Sequence, residues 1–271
     1  MLYSDSMYHV PAIRQLTFPT PPPPPSHETT TFTHLLAFDI SSVPHHVKKR
    51  CLWKPEMYEL LYLSGRAGAP FSQSPNYETD GTIFTCKNEP VRLLGQVRDV
   101  MRELYCHEKW TGTNVGISSR TDQPDWARKL LQKFTITTTQ LQQQQQQQQQ
   151  EEEEEVATAA AAAATSFCIR DVIQGPIEIS SDSKVKHFER ISAQTGVAME
   201  DILFFDNERG NCREVANLGV VVGYCPDGVT KTLWDLALKA FPIASGKVVG
   251  LDIYRYDTLE GANSFYDVDV P

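Results

Sequence analysis

Acidic residues directly follow two short apolar runs, as they would where a buried strand ends and presents a carboxylate. Four apolar residues precede Asp39, and another four precede Asp206. Ser119 follows a third apolar segment, and Lys184 begins a segment with helical character. The carboxyl ends of parallel strands open onto one crevice of an α/β sheet. We therefore expect these four side chains to form one site.

These residue types suit chemistry on a phosphoryl group. Magnesium takes one or two protein carboxylates and leaves its other positions to water and phosphate, which makes Asp39 and Asp206 the natural pair. A carboxylate is also a nucleophile toward phosphorus when cations neutralise the phosphoryl oxygens. Lys184 at a helix start and the hydroxyl of Ser119 have the donor character that those oxygens require. Each acid alone would be an ordinary cap or turn residue, so their joint occurrence in this order carries the prediction.

Strand-like and helix-like segments alternate along the chain, which predicts an α/β fold with a Rossmann-like, doubly wound and mostly parallel sheet. Besides the strand that ends at Asp39, the predicted strands cover 113–118, 167–173, 202–206 and 220–224. The predicted helices cover 55–63, 91–105, 124–134, 231–241, a helix capped by Ser181 or Asp182 that ends at Gly196, and a short helix that ends at Leu218.

Low-complexity segments divide the chain. Residues 1–33 culminate in a run of prolines and are expected to be a disordered Pro-rich leader. Glutamine, glutamate and alanine runs predict a disordered insertion over 137–165, because nothing in them supplies a core face. The catalytic domain is therefore expected over 34–242, with a hairpin flap at about 65–90, where Asp80-Gly81 gives a turn signal. Residues 243–271 form a tail without an assignment.

Composition and charge limit the kinds of binding partner and the cellular compartment that we expect for the chain. The net charge of -9 includes the five glutamates of 151–155, so no broad basic surface is expected and nucleic acid is disfavoured as a partner. No segment approaches the roughly 20 apolar residues that a membrane helix needs. The six cysteines are scattered without a C-x-x-C pair, which favours reduced thiols, no zinc, and a cytoplasmic location. Organelle targeting by the leader stays open, and the Pro-rich and Gln-rich tracts suit weak protein contacts.

Five sequence strings together resemble the magnesium-dependent phosphatase family of the haloacid dehalogenase (HAD-like) superfamily. The resemblance covers residues 34–242 without the insertion, and its strings occur in the family's order. They are LWKPEMY at 52–58, SRT at 119–121, SKVKHF at 183–188, FFDNERGN at 204–211 and LGV at 218–220.

The resemblance implies a role for each matching side chain. Asp39 would be the nucleophile and a magnesium ligand, while Ser119 would bind the phosphoryl group. Arg120 would contact phosphate or substrate, and Lys184 would stabilise the phosphorylated aspartate. Asp206 would hold magnesium.

Asn207 stands where many family members have a second acid, and its amide oxygen would coordinate the metal instead. The implied activity is magnesium-dependent hydrolysis of phosphomonoesters through an aspartyl-phosphate, as in acid phosphatases and in phosphatases with protein-tyrosine-phosphatase-like activity. The implied substrates are a small phosphorylated metabolite, such as a phosphosugar, or a phosphorylated side chain, such as phosphotyrosine.

The first motif departs from the family pattern. Ser41 occupies the position of the second aspartate, the expected general acid, a role often worth about 10² to 10⁴ in rate. Residues 41–50 also stand where the family has only a couple of residues. Two explanations stay open. Either the segment is an error of the gene model, such as a translated intron, or the insertion is real. In the second case His45 or His46 supplies the acid, or the protein is a catalytically impaired binding protein.

Overall fold

The computed structural model describes residues 34–40, 50–64, 69–138 and 166–251. The predictions for the Pro-rich leader, for nearly all of the low-complexity insertion, and for Ser41, His45 and His46 fall outside these residues. No helix among the described residues is long and apolar enough to cross a membrane.

Six parallel strands form the central sheet, which confirms the predicted α/β, Rossmann-like class. These strands are β1 (His34–Phe38), β6 (Thr113–Ser119), β9 (Ile177–Ile179), β10 (Ile202–Asp206), β11 (Val221–Tyr224) and β12 (Val248–Val249). Their order across the sheet is β12-β11-β10-β1-β6-β9. Because β1 lies between β10 and β6, the residues that follow these three strands become neighbours.

The central strands are apolar throughout because both faces of the sheet are buried, as is usual for parallel sheets. Successive side chains point to opposite faces. In β1, Leu36 and Phe38 belong to one core cluster, which includes Trp234, whereas Leu35 and Ala37 belong to the cluster on the other face. Phe38 stacks on Phe205 of β10, with 5.3 Å between ring centroids. The sheet is thus rigidly packed directly behind the site.

Eight α-helices are described. They are α1 (Met57–Ser64), α2 (Tyr77–Asp80), α3 (Val97–Cys106), α4 (Pro124–Lys133), α5 (Ile169–Val172), α6 (Lys184–Thr195), α7 (Arg209–Ala216) and α8 (Lys231–Ala240). Helices α4, α6 and α8 lie where the sequence predicts them. Gly196 ends α6 in the left-handed conformation, as expected. The N-cap of α6 is Ser183, however, and not Ser181 or Asp182, because its side chain accepts from the amide of Lys186.

The helix predicted over 91–105 is wrong in its first turn. Residues Pro90–Leu93 form strand β5, in which Val91 is buried and pairs with Ile83. Gly95 has a φ of 49°, and a Cβ atom there would lie 2.8 Å from the carbonyl oxygen of Val229. This left-handed glycine separates the strand from α3, so the helical spacing of the apolar residues before Val97 is coincidental.

The strand predicted over 167–173 is also wrong for most of its length. Strand β8 (Ser166–Cys168) pairs with β7 (Thr135–Thr137) in a separate two-stranded sheet. Helix α5 begins directly after it, because the carboxylate of Asp171 accepts from the amide of Cys168 at 2.7 Å. Strand β9, which lies outside the predicted strands, instead forms the edge of the central sheet next to β6.

A four-stranded antiparallel sheet occupies the region of the expected flap. Its strands are β2 (Trp53–Lys54), β3 (Ser72–Gln73), β4 (Thr82–Phe84) and β5, in the order β2-β5-β4-β3. The hairpin turn lies between Thr85 and Glu89, whereas Gly81 ends the short helix α2. The hydroxyl of Tyr77 donates to the carbonyl of Thr135 at 3.0 Å and accepts from its amide, which fixes this sheet to the end of α4.

Candidate active site

Three adjacent strands present the predicted site residues at one edge of the sheet. Asp39 follows β1 directly, and its amide donates to the carbonyl of Phe205 at 2.9 Å. Asp206 and Ser119 are the last residues of β10 and β6, the two neighbours of β1. All three side chains are buried. The parallel register therefore brings together residues that are far apart in the sequence.

Lys184 connects the two carboxylates. It is the first residue of α6, is fully buried, and donates from Nζ to Oδ1 of Asp39 at 2.8 Å and to the carbonyl of Ser118. The same Nζ lies 3.4 Å from Oδ2 of Asp206. Lys186, two residues along the same helix, points to solvent, and its Nζ lies 3.7 Å from Oδ1 of Asp182. The structure thus brings Lys184, and not Lys186, to Asp39.

Burial dominates the electrostatics of this cluster. It raises the pKa of Asp39 well above its usual range, and the neighbouring charge of Asp206 adds to this, although Lys184 opposes both. Burial likewise raises the pKa of Asp206. For Lys184, burial favours the neutral amine, but the two carboxylates outweigh it and raise the pKa of the ammonium. Two buried carboxylates therefore share one buried cation, and the cluster favours a further positive charge.

The oxygen ligands at this edge suit magnesium. Oδ2 of Asp39 is buried and has no hydrogen-bond partner among the described residues. Both oxygens of Asp206 are oriented, since Oδ1 accepts from the amide of Glu208 at 2.7 Å and Oδ2 from the side chain of Asn211 at 3.1 Å. Within the described ranges, no group of three or more His, Cys, Asp and Glu side chains is arranged as a metal cluster. Two carboxylates and an amide oxygen still fit magnesium, which keeps several waters.

Asn207 is the third potential ligand. It is fully buried directly after Asp206, and its Nδ2 donates to Oε1 of Glu56 at 2.9 Å. Glu56 itself is 2% exposed. The string at 52–58 includes Glu56, but the sequence predicts no role for it. A glutamate placed between Pro55 and a helix start, among apolar residues, was the available signal.

Arg120 is held at the edge of the site by a side chain that the sequence did not single out. Its Nη1 donates to Oδ1 of Asn211 at 2.9 Å, and Asn211 in turn donates to Asp206. The Nε of Arg120 is buried and lacks a hydrogen-bond partner in the part of the chain that the structure describes. Arg120 thus retains a donor for an anionic ligand. Asn211 lies five residues after Asp206, in the first turn of α7.

His187 links α6 to β6 beneath Lys184. It is fully buried, its Nδ1 lies 3.2 Å from Oγ of Ser118, and its Nε2 lies 2.9 Å from Oγ of Ser180. Burial, with help from the positive charges of Lys184 and Arg190, lowers the pKa of His187 to about 4. The imidazole is therefore neutral near pH 7. Its contact with Ser118 holds the end of β6, where the carbonyl of Ser118 accepts from Nζ of Lys184.

Three buried cysteine thiols lie beside the end of β10, where the carbonyls of Phe205 and Asp206 accept from Cys51 and Cys212. Sγ of Cys51 lies 3.1 Å from Sγ of Cys225, and both residues are buried, as is Cys212. Burial raises the pKa of all three thiols, so they are protonated and pack as small apolar groups. Cys86 and Cys106 are exposed. None of the six cysteines, all of which the structure describes, forms a disulfide.

Comparison with known proteins identifies a phosphatase family that the chain matches over most of its length. The sequence profile of the acid phosphatase family matches residues 49–243. The chain is also 26% identical over 172 residues to magnesium-dependent phosphatase 1 of Homo sapiens, an alignment that covers 64% of this chain and 74% of the human protein. The matched profile contains Ser119, Arg120, Lys184 and Asp206 but begins after Asp39. The contact of Asp39 with Lys184 is therefore information that the structure adds.

Proposed function

Because the chain belongs to the acid phosphatase family, within the magnesium-dependent phosphatases of the haloacid dehalogenase superfamily, we propose that it hydrolyses phosphomonoesters through an aspartyl-phosphate on Asp39. The main support is the 2.8 Å contact between Asp39 and the buried ammonium of Lys184. Family membership supports phosphatase activity and magnesium as the cofactor. The contact supports Asp39 as the nucleophile, because it places Asp39 against a buried ammonium that also faces Asp206.

The proposed reaction has two displacements at phosphorus. A carboxylate oxygen of Asp39 forms a bond to phosphorus while the bond from phosphorus to the ester oxygen breaks, and the leaving oxygen takes up a proton. Water then attacks the phosphoenzyme and releases inorganic phosphate and free Asp39. Magnesium, held by Asp39, Asp206 and the amide oxygen of Asn207, would neutralise charge on the phosphoryl oxygens.

The donors around Asp39 have distinct tasks in this proposal. Lys184 stabilises the charge of the phosphorylated aspartate, and the hydroxyl of Ser119 donates to a phosphoryl oxygen. Arg120 contributes its Nε, which has no hydrogen-bond partner among the described residues, to the phosphate or to an anionic part of the substrate. The substrate class that fits is a small phosphorylated metabolite, including phosphosugars, or a phosphorylated side chain such as phosphotyrosine.

A second candidate is a catalytically impaired protein that binds magnesium and phosphate without turnover. The observation that favours it is Ser41, which stands in place of the general acid. Ser41 lies outside the described residues, so a measurement of turnover distinguishes the phosphatase from the impaired binding protein. A missing acid and base would slow both displacements, but the second displacement also needs an activated water.

The experiment is hydrolysis of an aryl phosphate by the purified full chain, with and without magnesium. Asp39→Asn removes the nucleophile, and Asp182→Asn makes the same chemical change at an exposed carboxylate that pairs with Arg190. We expect magnesium-dependent turnover that Asp39→Asn abolishes and Asp182→Asn preserves. If the wild-type chain binds magnesium and phosphate but shows no turnover, the impaired binding protein is the correct reading.

A further inference from the structure

Glu56 is a buried carboxylate with no role in the reaction described above. It immediately precedes α1, and its amide donates to Oε2 of Glu59 at 2.9 Å. Glu59 is held in turn by Arg50, with 2.8 Å between Nη2 and Oε1. The carbonyl of Glu56 accepts from the amide of Leu60. This is half of a capping box, in which the glutamate at the third helical position fixes the residue before the helix. The main chain of Glu56 is therefore locked in place.

The side chain of Glu56 reaches across the site to Asn207. The 2.9 Å hydrogen bond from Nδ2 to Oε1 joins residues 151 positions apart, and both are buried. Glu56 also lies close enough to Asp39 for its charge to contribute to the raised pKa of that carboxyl. Glu56 thus faces the ligands and not the solvent.

The two ends of the Asn207 amide are not equivalent toward a cation. The oxygen is a ligand for magnesium, whereas the NH₂ group has no lone pair to offer and would repel the metal. A rotation of half a turn about the last side-chain bond exchanges the two ends. Because Oε1 of Glu56 accepts from the NH₂ group at 2.9 Å, this hydrogen bond turns the oxygen of Asn207 away from Glu56.

We propose that Glu56 is a positioning residue for magnesium, one that fixes the amide of Asn207 with its oxygen toward the metal. This inference rests on the proposed function, because it takes Asn207 to be a ligand. It also accounts for an asparagine at a position where related proteins carry an acid. An aspartate there would lose the NH₂ donor that Oε1 of Glu56 accepts from and would set two carboxyl groups against each other in a buried setting.

A double-mutant cycle on metal binding tests the inference. The probe is Mn²⁺, whose binding to the full-length chain is measured by electron paramagnetic resonance without substrate. The variants are Glu56→Gln, Asn207→Asp and the double variant. Glu178→Gln is the matched control, since Glu178 is a partly buried glutamate that accepts from Arg190 at 2.7 Å. Thermal melting of each variant verifies its fold.

Glu56→Gln should weaken Mn²⁺ binding by about 10- to 100-fold, the usual effect of losing a partner of a metal ligand. A glutamine can donate to the oxygen of Asn207 and so stabilise the wrong orientation. In the Asn207→Asp background the same change should strengthen binding, because a carboxylate has two equivalent oxygens and gains a donor in place of a repelling charge. Glu178→Gln should leave binding unchanged.

Several results would overturn the inference. They are unchanged binding in Glu56→Gln, a chain that binds no Mn²⁺, and equal weakening by Glu56→Gln in both backgrounds, which would indicate a merely structural role. The comparison between Asn207→Asp and the double variant decides the matter even if the Glu56→Gln chain does not fold. Metal binding and turnover fail separately, so a chain with the expected cycle but no hydrolysis would refute the proposed function and leave the role of Glu56 intact.

Discussion

Replacement of Lys184 by methionine should both destabilise the protein and slow its chemistry. Methionine has nearly the length of lysine but no charge, so it removes the cation and keeps most of the packing. Lys184→Met leaves Asp39 and Asp206 buried together without their shared ammonium. One of the two carboxylates must then take up a proton, or the site must open to water.

The magnitude follows from the distances. At an effective dielectric constant of about 20, ion pairs at 2.8 Å and 3.4 Å attract by about 6 and about 5 kcal/mol. Desolvation of the ammonium and of the carboxylates offsets much of this attraction. Removal of one partner of a buried pair typically costs about 3 to 5 kcal/mol of unfolding free energy. For a domain of this size, that corresponds to a fall of about 10 °C in melting temperature.

Lys186→Met is the matched control, because Lys186 lies in the same turn of α6 but its side chain is 63% exposed. Thermal melts at pH 8 without magnesium should show the fall for Lys184→Met and no change beyond error for Lys186→Met. Added magnesium should stabilise Lys184→Met more than the wild type, since the metal supplies the missing charge. Turnover should fall by about 10² to 10³ in Lys184→Met only. Equal melting temperatures for the two variants, or a larger loss of turnover in Lys186→Met, would refute this reasoning.

Three further predictions concern the surroundings of the site. Between pH 6.5 and about 4 the unfolded state protonates His187 and the folded state does not. As the pH is lowered through this range, the free energy of unfolding should therefore decrease by up to about 3 kcal/mol more in the wild type than in His187→Gln. Urea titrations in which both chains lose the same free energy of unfolding over this range would contradict the prediction. Asn211→Leu should raise KM and lower kcat, because Arg120 and Asp206 each lose a hydrogen bond; steady-state kinetics identical to the wild type would disprove the linkage. Gly95→Ala should cost about 1 to 3 kcal/mol, since φ is 49° and the added Cβ would meet the carbonyl oxygen of Val229 at 2.8 Å; an unchanged denaturation midpoint would show that the backbone relaxes.

The central strands could be predicted from sequence because a parallel sheet with two buried faces leaves an uninterrupted apolar signal. The runs before Asp39 and Asp206 carry it, and the acid at each end marks the edge where chemistry takes place. The edge strands could not be predicted in this way. Strand β9 has three residues, one of them Glu178, and β12 has only two residues, so neither leaves a periodic pattern.

The limits of prediction within the site have a similar cause. Asp39 and Lys184 were predictable as partners because each stands at the boundary of a strongly patterned element. Glu56, Asn211 and His187 act through hydrogen bonds to residues that are distant in the sequence, namely Asn207, Arg120 and Ser118, and a single sequence contains no record of such pairs. Local spacing also gave a wrong helix start, because Val91 continues the helical spacing of the apolar residues in α3 but belongs to an antiparallel strand.

The most direct test of the central claim is a search for the phosphoenzyme. The full chain is mixed with an aryl phosphate and magnesium, quenched in acid within a single turnover, digested, and analysed by mass spectrometry. The account predicts one phosphoryl group on the peptide that contains Asp39, labile to hydroxylamine, dependent on magnesium and lost in Asp39→Asn. An aryl leaving group needs little protonation, whereas the water of the second displacement needs the activating group that Ser41 replaces, so the second displacement should be slow and the intermediate should accumulate. Turnover without a labelled Asp39 peptide, or a label on another residue, would contradict the account.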